Sequence, residues 1–399
     1  MTARLHVVGA GLAGLACAVA AARAGMRVSL YEAAAHAGGR CRSFRDERLD
    51  RVIDNGTHLL IGANRTALMF AAAIGGDEAM APQPPLFPMM DMASGDRWMI
   101  EGGRLPAGWR ECASALGLPW VGRQETVAMR LGPTASFERI WRPLCEAVTN
   151  TPPEDCSARL FARVLRTAML KGRRAMAPVL FPVGVSAAFA APALATLAVH
   201  GATVEFGRRL LAARPGELVF EDRTVRLSSD DRVVLALPPW IVAGMLPDIP
   251  QLPTSTIVNA HYRLDVAPHG PAMLGLVGGT AQWLFTRDDL VSVTVSAADR
   301  LADRPADEIA ALLWRDAARA LRLAPSPPPY RVLKERRATL AHTPDAVGRR
   351  PGATTCHPWL FLAGDWLASP WPCTIEAAVA SGLAAARLAM ARPNLSFAV

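Results

Sequence analysis

The chain has 399 residues, enough for two domains and a sizeable core. Its net charge of +8 is carried by arginine, with only two lysines, Lys171 and Lys334, and no basic nucleic-acid motif, so the partners it favours are phosphate-bearing ligands or an anionic membrane surface and not nucleic acid. Seven cysteines without a C-x-x-C pair or a Cys/His cluster at zinc spacing exclude a disulfide scaffold and a metal site, and suit reduced thiols in a cytoplasmic protein.

The mean hydropathy of +0.19 is high for a soluble enzyme and points to an apolar cavity, a membrane face, or both. The first predicted element is a buried strand through Leu5, Val7 and Val8. Gly9, Gly11 and Gly14 follow directly as G-x-G-x-x-G, and an Ala-rich helix runs from Leu12 to Ala24. Met26 to Tyr31 reads as the next strand, with Glu32 at its end, 18 residues beyond Gly14. Each residue has a physical part in dinucleotide binding. Gly9 permits the tight turn, Gly11 admits a pyrophosphate to the backbone, and Gly14 lets helix pack on strand. The first helical amides, at Leu12 and Ala13, face the phosphates, and Glu32 accepts from a ribose. A signal peptide would begin with basic residues and end in a cleavage site; an acidic strand end and a second glycine motif stand here instead.

That second motif, Gly38-Gly39-Arg40 with Ser43, resembles the GG-R-x-x-S extension of flavin amine oxidases and carotenoid desaturases. The resemblance implies FAD, with Arg40 near its phosphates. Asp54-Asn55-Gly56-Thr57-His58 is a polar cluster between two apolar runs. In that superfamily the loop at this position brings backbone amides to the flavin ring. His58 is its most reactive member, although a histidine in a turn can also do no more than bond backbone.

Residues 63–200 are irregular and helical, with Trp141, Leu144 and Val148 on one helical face and a stop at Asn150-Thr151-Pro152-Pro153. From Ala175 to Val199 there are 25 residues without a charge. Three prolines argue against a spanning helix. The stretch is expected to be a buried helix pair of the substrate domain. A membrane-dipping face beside Lys171-Gly172-Arg173-Arg174 is the second reading. Residues 201–239 return to strands, where the superfamily contacts adenine near Arg209 or Leu210. Residues 250–330 hold antiparallel strands and an amphipathic helix, Asp307 to Leu323. The chain closes with a buried strand, Trp359 to Ala363, then Gly364-Asp365, then a helix opened by Pro372 to Glu376, including Thr374 and Ile375. In the superfamily this last turn holds the FAD phosphate–ribityl arm and points a helix dipole at the flavin.

The segments YEA…AGGRCRS, DNGTHLL, IWRPLCEAVTNTPP, IVNAHYRLD, KERRATLAHTP and LAGDW…PCTIEAAVASG together resemble the squalene-associated FAD-dependent desaturases of the amine oxidase/phytoene desaturase superfamily. Cys373 and Leu367-Ala368 depart from the usual pattern. The resemblance implies an α/β fold: a Rossmann-like FAD-binding domain of the amine-oxidase type (1–62, 201–249 and 331–399) and a discontinuous α+β substrate domain, facing a membrane (63–200 and 250–330). The cofactor residues it implies are Gly9, Gly11, Leu12, Ala13, Gly14, Glu32, Gly39, Arg40, Asn55, Gly56, Thr57, His58, Leu210, Gly364, Asp365, Thr374 and Ile375. It implies reductive loss of the hydroxyl of hydroxysqualene, a C30 isoprenoid alcohol, with His58, Asp54 and His261 as candidate proton donors. Upstream squalene-pathway synthases and peripheral contact with the inner membrane follow from such a substrate. Amine oxidases keep a lysine near the flavin, whereas the strand from Ile257 to Asp265 has His261 and Tyr262. A carotenoid-type desaturase and, more remotely, a non-catalytic prenyl-lipid escort protein remain as rival readings.

Overall fold

The apolar run Arg4–Val8 is the middle strand of a five-stranded parallel sheet. In the computed structural model, which describes residues 3–132, 134 and 136–391, its spatial order is Thr203–Glu205, Arg27–Tyr31, Arg4–Val8, Arg232–Leu235 and Leu360–Leu362. Every pairing is parallel. Both faces of such a sheet are covered, so its strands need continuous apolar runs, and Val233, Val234 and Leu235 are fully buried. The helix Leu12–Arg23 joins the first two strands and packs against the last helix, Ile375–Ala391. Close approach requires glycine there. A Cβ at Gly382 would lie 2.0 Å from the Ala13 carbonyl oxygen, and one at Gly14 1.8 Å from that of Gly9.

The second layer is a seven-stranded sheet in the order Tyr330–Leu340, Thr254–Arg263, Leu290–Val295, Trp283–Arg287, Met273–Val277, Leu86–Asp91 and Arg97–Glu101. Its pairings are antiparallel except that of Met273–Val277 with Leu86–Asp91. The helix Ala306–Leu321 covers it through Ile309, Leu313, Trp314 and Ala317, which share a core with Tyr262. Tyr330–Leu340 begins where the sequence resumes the nucleotide-binding unit, yet it hydrogen-bonds along Thr254–Arg263 and so belongs to this sheet.

The uncharged stretch folds into the short strand Pro178–Leu180 and the helices Val185–Ala188 and Ala190–Val199. Val185, Phe189, Ala193 and Leu197 are buried, as a helix pair should be, but in the core of the Leu12–Arg23 helix and not against the seven-stranded sheet. Among the described residues no helix is long and apolar enough to cross a membrane.

The segment IWRPLCEAVTNTPP forms a π-helical turn, Phe137–Trp141, and the helix Arg142–Thr149. Asn150 ends it in the left-handed conformation, φ 51°. Its side chain is a tie. Nδ2 donates to the Ser255 carbonyl at 3.2 Å and to Thr339 Oγ1 at 3.0 Å, and Oδ1 accepts from the Ala297 amide at 2.7 Å. This turn therefore fastens the first insertion to both long strands of the second sheet.

Candidate functional site

Gly9 leaves the first strand at φ +102°, and a Cβ there would meet the Ala236 carbonyl oxygen at 2.4 Å. Gly11 caps the Leu12–Arg23 helix without a side-chain cap, no acid stands in the first turn, and nothing lies within 4 Å of its missing Cβ. The first-turn amides, including those of Leu12 and Ala13, thus keep their positive end for an anion. Glu32 is fixed at the lip of this loop. One carboxylate oxygen accepts from the Ala10 amide at 2.7 Å and the other from the Ala34 amide at 2.8 Å. Each oxygen retains a lone pair for a hydroxyl.

The second glycine motif closes over the first. The Gly38 amide donates to the Ala10 carbonyl at 2.8 Å, and Gly39, φ +58°, would place a Cβ 3.2 Å from Gly11 Cα. The Arg40 guanidinium reaches across to Asp365 at 2.7 Å and to the Ala338 carbonyl. Burial opposes its charge, but Asp365 outweighs burial and raises the arginine's pKa. Two widely separated motifs, GGR and GD, are thereby joined. The Gly364 amide donates to Ser381 Oγ at 2.9 Å, and Thr374 Oγ1 caps the last helix by accepting from Ala377 at 3.3 Å. Ile375 is buried at the start of that helix. Leu210 is also buried, in a cluster with Tyr31 and Phe220, while Arg209 is exposed and faces Glu221 at 3.7 Å.

The loop from Asp54 to His58 stands between the two sheets. Asn55 Nδ2 donates to Glu335 at 3.3 Å, and the Thr57 amide donates to Asn259 Oδ1 at 3.3 Å. The three candidate proton donors occupy different environments. Asp54 Oδ1 accepts from Ser43 Oγ at 2.5 Å and from the Val185 amide at 3.1 Å, which makes its carboxylate a brace for the glycine motif. His261 bonds Ser292 Oγ through Nδ1 at 2.8 Å, and burial lowers its pKa to about 4, so its ring is neutral at neutral pH. His58 differs. Burial works against its charge, but the Cys41 sulfur, 3.3 Å from Nε2, and then Asp54 outweigh burial and raise its pKa to about 9. Of the two histidines, His58 is therefore the one charged at neutral pH. Its Nδ1 is buried beside the Gly56 backbone without a hydrogen bond of ordinary geometry, and His261 Nε2 is likewise buried and unpartnered.

Two polar residues of the candidate site escape a reading of the sequence alone. Asn259 is 1% exposed, and its Oδ1 is taken by Thr57 and by Thr294 Oγ1 at 2.8 Å. Those donors fix the amide's orientation, leaving Nδ2 unpartnered, 3.2 Å from the position of a Cβ on Gly56. A buried N–H of this kind costs about 1–3 kcal/mol unless a ligand accepts from it. The available signal was a lone asparagine in the apolar strand of IVNAHYRLD. His342 is the other. Its Nδ1 donates to the Thr149 carbonyl at 2.7 Å and its Nε2 accepts from the Cys373 amide at 2.9 Å. Burial lowers its pKa to about 4, and the neutral ring positions the turn before Thr374.

A dinucleotide with a second, ring-bearing end fits these groups: a carboxylate at the lip of the glycine loop, a bare helix start, an arginine held by Asp365, and three unpartnered polar atoms, at Asn259, His58 and His261. Residues 12–390 match the family model described as flavin containing amine oxidoreductase. The chain is 37% identical to a hydroxysqualene dehydroxylase of Sinorhizobium fredii, over 99% of this chain and all of that one. It is 38% identical to another from Rhodopseudomonas palustris, over 98% and 99%. The chain belongs to the flavin-containing amine oxidoreductases, in the group of the hydroxysqualene dehydroxylases. Cyclohexylamine oxidase from Brevibacterium oxydans superposes with a TM-score of 0.73 over 98% of this chain and 99% of that one, at 16% identity, a likeness of fold alone. The fold is the α/β, Rossmann-like fold of FAD-dependent oxidoreductases, and the cofactor is FAD.

Loss of the Glu32 carboxylate would leave the Ala10 and Ala34 amides without their acceptor and, as we propose for its free lone pairs, the ribose hydroxyls of the cofactor as well. Glu32→Ala is expected to weaken FAD binding by about 1–3 kcal/mol, measured by titrating the apoprotein with FAD. Unchanged affinity would remove Glu32 from the cofactor site.

Proposed function

We propose that this enzyme removes the allylic hydroxyl of hydroxysqualene and yields squalene. The observation that carries the reading is the full-length relationship to hydroxysqualene dehydroxylases, a span that includes both glycine motifs and the loop at His58. In balance, the alcohol takes up a proton and a hydride and gives hydrocarbon and water. Bound FAD in its reduced form supplies the hydride. The chain's own residues supply the rest. His58 holds the proton that turns the departing hydroxide into water, with Nε2 against Cys41 and Nδ1 free to donate. Asn259 Nδ2 offers a second donor beside Gly56. The apolar side chains of the insertions, among them Phe87, Trp141 and Phe161, keep bulk water from an allylic cation. We read residues 1–62, 201–249 and 331–399 as the FAD-binding domain and 63–200 with 250–330 as the substrate domain, Tyr330–Leu340 being the strand the two share.

Neither lysine stands near the loop at His58 in the way an amine oxidase would need. Lys334 Nζ donates to the Arg304 carbonyl at 2.6 Å on an exposed edge, and Lys171 is exposed in a turn. The deciding experiment is anaerobic: reduced enzyme with hydroxysqualene, and oxidised enzyme with phytoene or amines. Flavin reoxidation with squalene formation is the expected result; reduction of the flavin by phytoene or an amine, with no reaction of hydroxysqualene, would replace this reading. A C30 hydrocarbon partitions into bilayers, and we further read the protein as peripheral to the cytoplasmic face of the inner membrane.

A further inference from the structure

The helix Ala158–Met169 has two unlike faces. Leu160, Phe161, Val164 and Leu165 are buried, while Arg159, Arg163 and Arg166, spaced i, i+4, i+7, all point outward. The chain continues through exposed Leu170 into Lys171, Arg173 and Arg174. Between Cys156 and Ala175 there are thus six cations and no acid. Many arginines of this protein are paired, as Arg40, Arg130 and Arg142 are. Among the described residues none of these six has a carboxylate within 4.0 Å.

Facing the three helical arginines is the loop Gly117–Val121. Between them lies a cleft of about 280 Å³ lined by Leu118, Trp120, Arg159, Arg163 and Arg166. Trp120 is 83% exposed and Leu118 55%. The loop is held in this position. The Arg130 guanidinium donates to the Leu118 carbonyl at 2.9 Å and to that of Trp120 at 3.0 Å, and Arg159 donates to the Val121 carbonyl at 3.2 Å. Trp109 and Met129 are also exposed, on the two short helices that pack against Ala158–Met169. In water a fixed, exposed tryptophan wastes its apolar area. At a bilayer surface the indole sits in the headgroup layer and unpaired arginines meet phosphates.

We propose that this face docks the enzyme on an anionic phospholipid bilayer, Trp120 and Leu118 entering the headgroup layer while Arg159, Arg163 and Arg166 take up lipid phosphate. It rests on the reading of the protein as peripheral to a membrane and gives that reading a surface. An acidic protein partner would match the charge alone; a bilayer matches the charge and the exposed Trp120, Leu118 and Leu170. The basic cluster at Lys171–Arg174 belongs to this face, whereas the uncharged stretch that follows turns Val185, Phe189, Ala193 and Leu197 into the core.

The test is co-sedimentation of the FAD-loaded full chain with phosphatidylcholine vesicles, with and without phosphatidylglycerol. Binding is expected only with the anionic lipid, falling with salt, together with a blue shift of tryptophan emission. Each neutralised charge is worth on the order of fivefold. The triple variant Arg159→Gln/Arg163→Gln/Arg166→Gln should therefore bind on the order of a hundredfold more weakly, with unchanged flavin absorbance. Trp120→Ser should weaken binding and reduce the blue shift, Trp109 keeping the remainder. Val199→Ser, on the uncharged stretch, should bind like wild type. Triple and Trp120 variants that sediment like wild type would overturn this surface and leave membrane contact standing. Wild-type protein that ignores anionic vesicles would overturn both.

Discussion

His58→Ala is expected to cut turnover of hydroxysqualene by roughly 10²–10⁴-fold, the range for a general acid, while FAD remains bound. Retention follows because the variant keeps the Thr57 amide on Asn259 and the Asn55 side chain on Glu335. The pH dependence gives an independent readout. With the histidine's pKa raised to about 9, chiefly against burial by the Cys41 sulfur and then by Asp54, the acid form persists through neutrality and turnover should fall as pH rises through about 9. Cys41→Ser should move that limb to lower pH. The sign for stability is the same. A pKa raised from 6.5 on folding stabilises the protein fully below 6.5 and loses that contribution as pH rises through about 9. A variant with near-normal turnover and an unmoved alkaline limb would transfer the proton to another donor.

Asn150→Ala is expected to destabilise the protein strongly, by about 3–5 kcal/mol. It strands the Ala297 amide and the Ser255 carbonyl in a buried site, and it places alanine at φ 51°, a conformation asparagine tolerates through the hydrogen bonds of its short polar side chain and alanine does not. Asn150→Asp keeps the acceptor for Ala297 but sets a buried carboxylate against the Ser255 carbonyl, so a loss at least as large is expected. Denaturant titration monitored by flavin release and tryptophan emission measures both. An alanine variant within about 1 kcal/mol of wild type, ordinary for a surface change, would show that the tie is dispensable.

The nucleotide-binding half was legible because its constraints are local. Gly9, Gly11 and Gly14 sit within one turn of chain, Glu32 ends the adjoining strand, and the structure places the strands and helix within a residue or two of their expected bounds. The antiparallel strands after residue 250 were legible from period-two alternation, and the helix Ala306–Leu321 from its amphipathic repeat. Partners far apart in sequence were not legible. Nothing near Arg40 names Asp365 as its carboxylate, nor does the sequence near Asn150 name Ser255, Ala297 and Thr339.

The uncharged stretch marks the boundary most clearly. Composition makes Ala175–Val199 apolar, and its prolines deny it a spanning helix, but hydropathy cannot say which apolar surface it meets. Packing against the Leu12–Arg23 helix decided that. The same limit applies to the acid at the site. Sequence alone brings Asp54, His58 and His261 forward as titratable groups and determines that the protein is a flavoenzyme. Which of the two histidines is charged depends on burial and on the neighbouring groups, and those are properties of the tertiary structure: burial lowers the pKa of His261, Cys41 and then Asp54 raise that of His58 against burial, and Ser43 and Val185 occupy the Asp54 carboxylate.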